Sequence, residues 1–399
     1  MAPPDRLSEL PDCLLQSILS SLRAREVVQT TALSRRWRDV WRGVLRLDID
    51  QREFQAAEVV ADRDGRRDKN AELEEWARFD DFADNLLLHH GGGGDDDDNL
   101  PLDALRLHVV DKRDSSRRRL PRYTRWLEWV HGCLDRYRPT ALEIHSDFDM
   151  TVDLRLMGLR SDLTRLNTLR LHGVLHAGGF GDSESAGSDD SESADSSVCP
   201  VLEHVEFSSC AIGFEGVVTA RTLKKLVVDR CWRRNDTKKE GAPRPRLQAP
   251  ALTSLRLVMT FQDDIWVFET PSLVEASIRT TRHFVNRDDE YELLCNLYNV
   301  TRLELSGFLA IEKIRPKTGG HQDLPKFHNL TTLLLEDCDL TGEVYNMLDL
   351  FLYNAPKLEE LTLQNCKLPQ EWSESKKMCL NLKFTEINCH KDDVRQVDR

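Results

Sequence analysis

The sequence predicts an α/β chain in two parts: three short N-terminal helices, then a solenoid of parallel strands with helical or irregular return segments. Two patterns predict it. Apolar residues recur with helical period over the first fifty residues. After residue 100 one line of sequence returns about ten times, the signature of a repeat architecture.

Residues 5–50 read as three helices. The first is CLLQSILSSL, with Asp12 as its expected N-cap, and it lines up Leu14, Leu15, Ile18, Leu19 and Leu22 as one apolar stripe. The second, AREVVQTTAL, is expected to bury Val27, Val28, Thr31 and Ala32. The third, LSRRWRDVWR, puts Leu33, Trp37, Val40, Trp41 and Val44 on one face, with Arg35, Arg38 and Arg42 opposite and Arg36 on the flank. Arginines among aromatics also describe a nucleic-acid-binding surface. The helical phasing and the formal net charge of −13 both oppose that reading. So short a module cannot bury this many large apolar side chains, so part of the stripe is expected to face a protein partner.

Two segments lack the apolar area to build a core. HHGGGGDDDDN (89–99) and the serine-rich acidic stretch 178–197 are both expected to be disordered loops. The expected division is residues 1–50 as the helical module and 51–100 as a linker with a helical segment and the Gly/Asp loop. Residues 101–368 form the repeat domain, and 369–399 an incomplete terminal segment.

The repeat is clearest in LEELTLQNCKL (358–368), LTTLLLEDCDL (330–340) and LEHVEFSSCAI (202–212), each fitting L-x-x-L-x-L-x-x-C-x-L. Its central strand position falls at Leu105, Leu142, Leu169, Val205, Leu226, Leu255, Ala276, Leu303, Leu333 and Leu361. The spacings run from about 21 to 37 residues, most in the twenties, as in leucine-rich repeats. Alternate residues such as Leu361 and Leu363 point into the layer under the strand. One unit cannot bury that face alone, so neighbours must stack into a parallel sheet. Proline in Ala249-Pro250, Thr270-Pro271, Ala355-Pro356 and Cys199-Pro200 is expected to end a preceding helix and set an extended approach to the strand. Glu343–Lys357 is expected to be a return helix with Val344, Met347, Leu348, Phe351 and Leu352 as its stripe.

Ten cysteines are scattered with no C-x-x-C pair, and Cys210, Cys231, Cys338 and Cys366 share one repeat position. They read as reduced, mostly buried thiols of an intracellular protein. No run of about 18 apolar residues is present and the first residues carry acids, so neither a membrane span nor a signal peptide is expected. Cytoplasm and nucleus are both open as the site of action.

Catalytic patterns are missing: there is no G-x-x-x-x-G-K-[ST], G-x-G-x-x-G, H-E-x-x-H or G-x-S-x-G. His89-His90 beside the aspartate run reads as a solvated loop, and Asp263-Asp264 and Asp288-Asp289 point apart as sequence neighbours. No catalytic, metal or cofactor residues are assigned.

The wording DRLSELPDCLLQSILSSL…VVQTTALSRRWRDVWRG resembles the F-box of plant F-box/leucine-rich-repeat proteins. The resemblance rests on Leu10-Pro11-Asp12, Leu14-Leu15, Ile18-Leu19, Leu22, Val28, Leu33-Ser34, Arg35-Arg36-Trp37 and Trp41. It implies docking onto a Skp-type adaptor of a cullin–RING ubiquitin ligase through Leu10, Pro11, Leu15, Ile18, Leu22, Val28, Leu33 and Trp37. Trp41 would join them or pack on the first repeat. The repeats would hold a protein substrate and raise its effective concentration at the ligase, with bond-making left to other subunits. The other open reading is a non-catalytic leucine-rich-repeat binding or inhibitor scaffold outside a ligase. RYTRWLEWVHGCLDRYRPTALEIH (122–145) looks like the tryptophan helix of the same group, with Trp126, Trp129, Val130, Cys133, Leu134 and Tyr137 as its core stripe. LKFTEINCHKDDVRQVDR (382–399) resembles the start of the group's FBD ending, which would continue into a helix and another repeat.

Overall fold

A computed structural model describes residues 7, 9–55, 69–91, 102–110, 120–146, 151–153, 163–174, 176–178, 182–184, 199–212, 217–233, 246–259, 267–280, 293–308, 326–341, 347–368 and 381–388. Most of the Gly/Asp run and of the acidic serine stretch, both aspartate pairs and the end beyond residue 388 lie outside them. The chain divides into two compact units, Met1–Leu175 and His176–Arg399.

The first unit opens with α1 (Asp12–Leu19), α2 (Ala24–Gln29) and α3 (Trp37–Val40), with 3₁₀ turns at Thr30–Ala32 and Trp41–Gly43. Asp12 is not a cap. It is the first helical residue after Pro11, and its carboxylate accepts the Arg36 Nε–H at 2.9 Å. At the start of α2 the Glu26 carboxylate accepts the Arg23 N–H at 3.2 Å. The expected stripe of α1 splits: Leu15 and Leu19 are buried, whereas Leu14 and Ile18 face water. In the second helix Val27 is buried, Val28 and Thr31 are half-buried and Ala32 is exposed. The third helix is shorter than its periodicity suggests, because residues 33–36 turn rather than continue it. Leu33 therefore leaves the inner face that Trp37, Val40, Trp41 and Val44 share.

Residues 46–50, expected to close the helical module, are instead a strand. Arg46–Asp50 pairs in parallel with Ala104–Val109, that strand with Ala141–Ser146, and that with Thr168–His172. Leu47, Leu105, Leu142 and Leu169 stand in one row; Ile49, Leu107, Ile144 and Leu171 form the next. All eight are buried, and each full burial contributes about 1.5–3 kcal/mol. Helices α4 (Lys69–His89) and α5 (Leu120–Tyr137) complete the unit. Arg125 of α5 binds Asp80 at 3.3 Å and also reaches Asp84, both on α4. Trp129, Val130, Cys133, Leu134 and Tyr137 form the buried stripe of α5; the Trp126 side chain lies outside the described residues.

In the second unit eight strands pair in parallel and in chain order: His204–Ser208, Lys225–Asp229, Ser254–Met259, Glu275–Thr280, Arg302–Ser306, Thr332–Glu336, Glu360–Gln364 and Phe384–Asn388. One row runs Val205, Leu226, Leu255, Ala276, Leu303, Leu333, Leu361, Thr385, without a slip. Each ladder position named from the sequence is the second residue of its strand. Return paths differ from the helical expectation over part of the chain: Val217–Thr219, Arg246–Gln248 and Val267–Glu269 are short strands that pair in parallel. Met347–Asn354 is helical and buries Leu348, Phe351 and Leu352; Val344 and the Met347 side chain lie outside the described residues.

Pro356 follows the helix Met347–Asn354, as expected, whereas two other prolines have a different role. Pro250 and Pro271 follow strands, not helices, and each stands second in a turn whose first carbonyl accepts the fourth residue's N–H. Examples are Leu252 to Ala249 at 3.1 Å and Leu273 to Thr270 at 3.2 Å. The fixed φ of proline suits that position. The turn delivers the buried leucine three residues ahead of the ladder position.

Most strand starts, and several strand ends, are held by the neighbouring strand. Thr331 and Thr332 both donate their N–H to the Thr301 carbonyl, at 2.9 and 3.1 Å, and the same double acceptance recurs at Glu203, Lys224, Thr253, Val274, Thr331 and Glu359. Past the strand, Ser209, Arg230, Asp337 and Asn365 take positive φ of 50–52°, and Gly173 and Gly307 take 68° and 78°. These residues carry the ladder one step further: the Asp337 N–H donates to the Gln364 carbonyl at 2.9 Å and the Gly307 N–H to the Glu336 carbonyl at 2.9 Å. At Gly307 a Cβ would also stand 2.1 Å from the Thr280 carbonyl oxygen. Gly307→Ala should therefore lower stability by ~2 kcal/mol or more, read by urea unfolding, since strain and clash add. An unchanged midpoint would contradict this turn geometry.

Candidate functional site

The exposed apolar side chains of the first helices form the candidate site. Leu14 is 49% exposed, Ile18 47%, Leu33 68% and Leu7 55%. On α1, Leu14 and Ile18 are one turn apart and share the outer face, while Leu15 and Leu19 share the inner one. Arg36 donates to the Leu10 carbonyl and to Asp12, which ties the segment carrying Leu33 to the start of α1. Pro11 is exposed, and Leu10, Leu22 and Val28 are half-buried around this face.

Three residues expected at a partner surface face inward. Leu15 is fully buried, and Trp37 and Trp41 are 8% and 6% exposed, so they support the face rather than present area to a partner. Leu7 and Leu14 were not assigned from the sequence, yet they offer more surface than any of those three. The signal for Leu14 was present in its i, i+4 spacing to Ile18. Only the packing shows which half of the stripe turns outward.

His90 sits among these supports, in a place its glycine- and aspartate-rich surroundings did not suggest. It follows α4 directly and is fully buried rather than part of a solvated loop. Its Nε2–H donates to the Val44 carbonyl at 3.0 Å. Its ring tilts against Trp41 at 6.3 Å and meets Tyr137 edge-on at 5.2 Å, so Trp41 packs on the end of α4. The Arg136 guanidinium donates to the Leu87 and His90 carbonyls. Burial pushes the His90 imidazole down to about 4, so it is neutral at physiological pH.

The outer sheet face of this unit carries charge in rows. Arg106 bridges Asp48 at 3.3 Å and Glu143 at 3.1 Å; His108 and His145 stack with centroids 5.4 Å apart, and His172 tilts by 35° against His145 at 5.3 Å. The hydrogen bond from His145, at 2.7 Å, holds the Glu143 carboxyl down at about 2. A groove of about 580 Å³ runs between Ser20–Leu22 and Asp48, Arg106, Glu143 and Arg170. Among the described residues no group of three or more His, Cys, Asp or Glu side chains is placed to hold a metal ion, and no helix is long and apolar enough to cross a membrane.

Residues 7–48 match the F-box domain family. The chain is 33% identical over 390 residues to the meiotic F-box protein MOF of Oryza sativa subsp. japonica, a match covering 91% of this chain and 72% of that protein. It is 51% identical over 51 residues to F-box/LRR-repeat protein 13 of Arabidopsis thaliana, covering 13% of this chain and 11% of the relative. An FBD-associated F-box protein of Arabidopsis thaliana is 33% identical over 133 residues, 33% of this chain and 22% of the relative. The chain belongs to the plant F-box proteins; of the two Arabidopsis relatives, one is named for its leucine-rich repeats and the other for its FBD association. F-box proteins are in general non-catalytic substrate-recognition subunits of Skp–cullin–F-box ligases.

The buried imidazole gives this module an acid sensitivity. The folded state resists protonating His90, whereas the unfolded chain takes up a proton below the ordinary histidine value of 6.5. Stability is therefore lost as pH falls from about 6.5 toward 4, by up to ~3 kcal/mol from this group. In His90→Gln that portion of the pH slope should flatten, measured by urea unfolding at a series of pH values. A slope equal to wild type would assign the acid sensitivity elsewhere.

Proposed function

We propose that the chain is the substrate-receptor subunit of a Skp–cullin–F-box ubiquitin ligase. Leu7, Leu14, Ile18 and Leu33, flanked by Leu10, Pro11, Leu22 and Val28, take the Skp-type adaptor. The repeats form a leucine-rich-repeat solenoid that holds a protein substrate, and ubiquitin transfer is carried out by the other subunits. The observation that carries the reading is that an F-box helix turns half of its apolar residues to water. Covering each of these half-exposed side chains contributes about 1 kcal/mol, the scale on which a permanent partner is held. The site of action is intracellular.

No nucleic-acid role is assigned. Arg36 is engaged with Asp12 and Leu10, and Arg42 lies 3.4 Å from Asp39, so two arginines of the tryptophan-rich stretch already face acids of their own module.

Co-purification from plant cells tests the reading. Wild type should bring down adaptor and cullin. Leu14→Asp with Ile18→Asp should reduce adaptor capture at least tenfold while leaving the thermal midpoint within a few degrees, because both side chains already face water. Leu15→Ala should lower stability by ~2–5 kcal/mol, as deletion of a fully buried leucine does. Undiminished capture by the double variant, or a wild-type chain that captures neither adaptor nor cullin, would sink the proposal. Capture of adaptor without cullin would favour a scaffold acting outside the ligase.

A further inference from the structure

The repeat cysteines of the second unit stand in registered pairs. Asp339 pairs in parallel with Lys367, and the Lys367 N–H donates to the Cys338 carbonyl at 2.9 Å. Cys338 and Cys366 each lie one residue before that bridge, so they stand side by side on neighbouring segments whose backbones are roughly 4.8 Å apart. Disulfides join Cα atoms separated by about 4.4–6.8 Å. Cys210 and Cys231 repeat the arrangement: each precedes the registered residues Ala211 and Trp232, and the Trp232 N–H donates to the Cys210 carbonyl at 2.9 Å. All eight described cysteines are free thiols.

We propose that Cys338 and Cys366 are a peroxide-sensitive pair that closes to an intrachain disulfide joining two adjacent repeats. The Cys366 thiolate attacks one oxygen of hydrogen peroxide and the O–O bond breaks. Cys366 becomes a sulfenic acid, and the departing hydroxide takes a proton to become water. The Cys338 sulfur then attacks the Cys366 sulfur, the S–O bond breaks, and a second water leaves with the Cys338 proton. Two thiols are oxidised and one peroxide is reduced to two waters.

The environments of the two sulfurs differ in the sense this sequence needs. Each sulfur lies against two carbonyl oxygens, Cys338 at 3.3 Å from Glu336 and 3.6 Å from Leu305, Cys366 at 3.3 Å from Leu335 and 3.4 Å from Gln364. The contact between the two thiols holds Cys366 below the ordinary range, while that contact and burial push Cys338 up. Cys366 keeps 3% of its surface open and Cys338 1%, and peroxide is close to water in size. Cys231 is more exposed, but its contact with Cys210 and its burial push its thiol up, so acidity and access point to different pairs.

Peroxide treatment of the full folded chain, followed by alkylation of remaining thiols and unreduced peptide mapping, decides between them. The expected product has lost two hydrogens, carries a Cys338–Cys366 linked peptide and reverts with dithiothreitol. In Cys338→Ser the product should instead gain one oxygen at Cys366, trapped by dimedone. Oxidation that links Cys210 to Cys231 first, that stops at Cys366 sulfinic acid in wild type, or that links Cys338 and Cys366 only after unfolding would overturn the proposal.

Discussion

The carbonyl that precedes each strand is the constraint on which the sheet rests. Throughout the second compact unit it accepts two N–H groups from the chain entering the next strand, as Thr301 does from Thr331 and Thr332; at Asp103 it accepts one, from Ala141. A strand displaced by one residue would leave one of those donors without a partner and turn its leucines toward water. Register is thereby set where the strands of the second compact unit begin, before the ladder itself is counted. Threonine recurs there for a local reason: the hydroxyls of Thr253, Thr301 and Thr331 add a third donor to the same carbonyls.

The cysteines at the far end of the strand have the complementary task. Each follows a residue in a left-handed conformation, and each thiol lies within 3.3–3.5 Å of the carbonyl of the last strand residue. At Asp229, Glu336 and Gln364 that carbonyl already accepts a backbone N–H from the neighbouring strand's turn, so the thiol, a small apolar group with a weak donor, adds a second, weaker contact in a crowded turn. The same turn is made with glycine at Gly173 and Gly307, where a neighbouring carbonyl stands too close for any Cβ.

The sheet was legible in the sequence because its signal repeats: ten ladder positions could be named from L-x-L centres alone. Two strands of the main ladder have no position among those ten, for opposite reasons. Arg46–Asp50 carries the pattern in Leu47 and Ile49, but it directly follows the helical module, whose period masks it. Phe384–Asn388 has Thr385 in the ladder row, so its leucine signal is absent. The candidate docking face was legible in part. Helical period locates apolar residues on α1 but gives no direction to an arc that is wide enough to serve both a core and a partner. Trp37 and Trp41 drew attention as large aromatics, and their size is the reason the small module buries them. The sequence neighbours of His90 suggest a solvated loop, whereas its environment is set by Trp41, Val44 and Tyr137.

Unslipped pairing has a metric consequence. From Val205 to Thr385 the second unit crosses eight strands, and the number of residues spent between successive strands varies widely. Because every step across the sheet is one strand spacing, its width is seven steps of about 4.8 Å, roughly 34 Å, whatever the return paths contain. Distance on this surface is counted in strands, so residues added or removed between them alter the far side and leave the ruler unchanged.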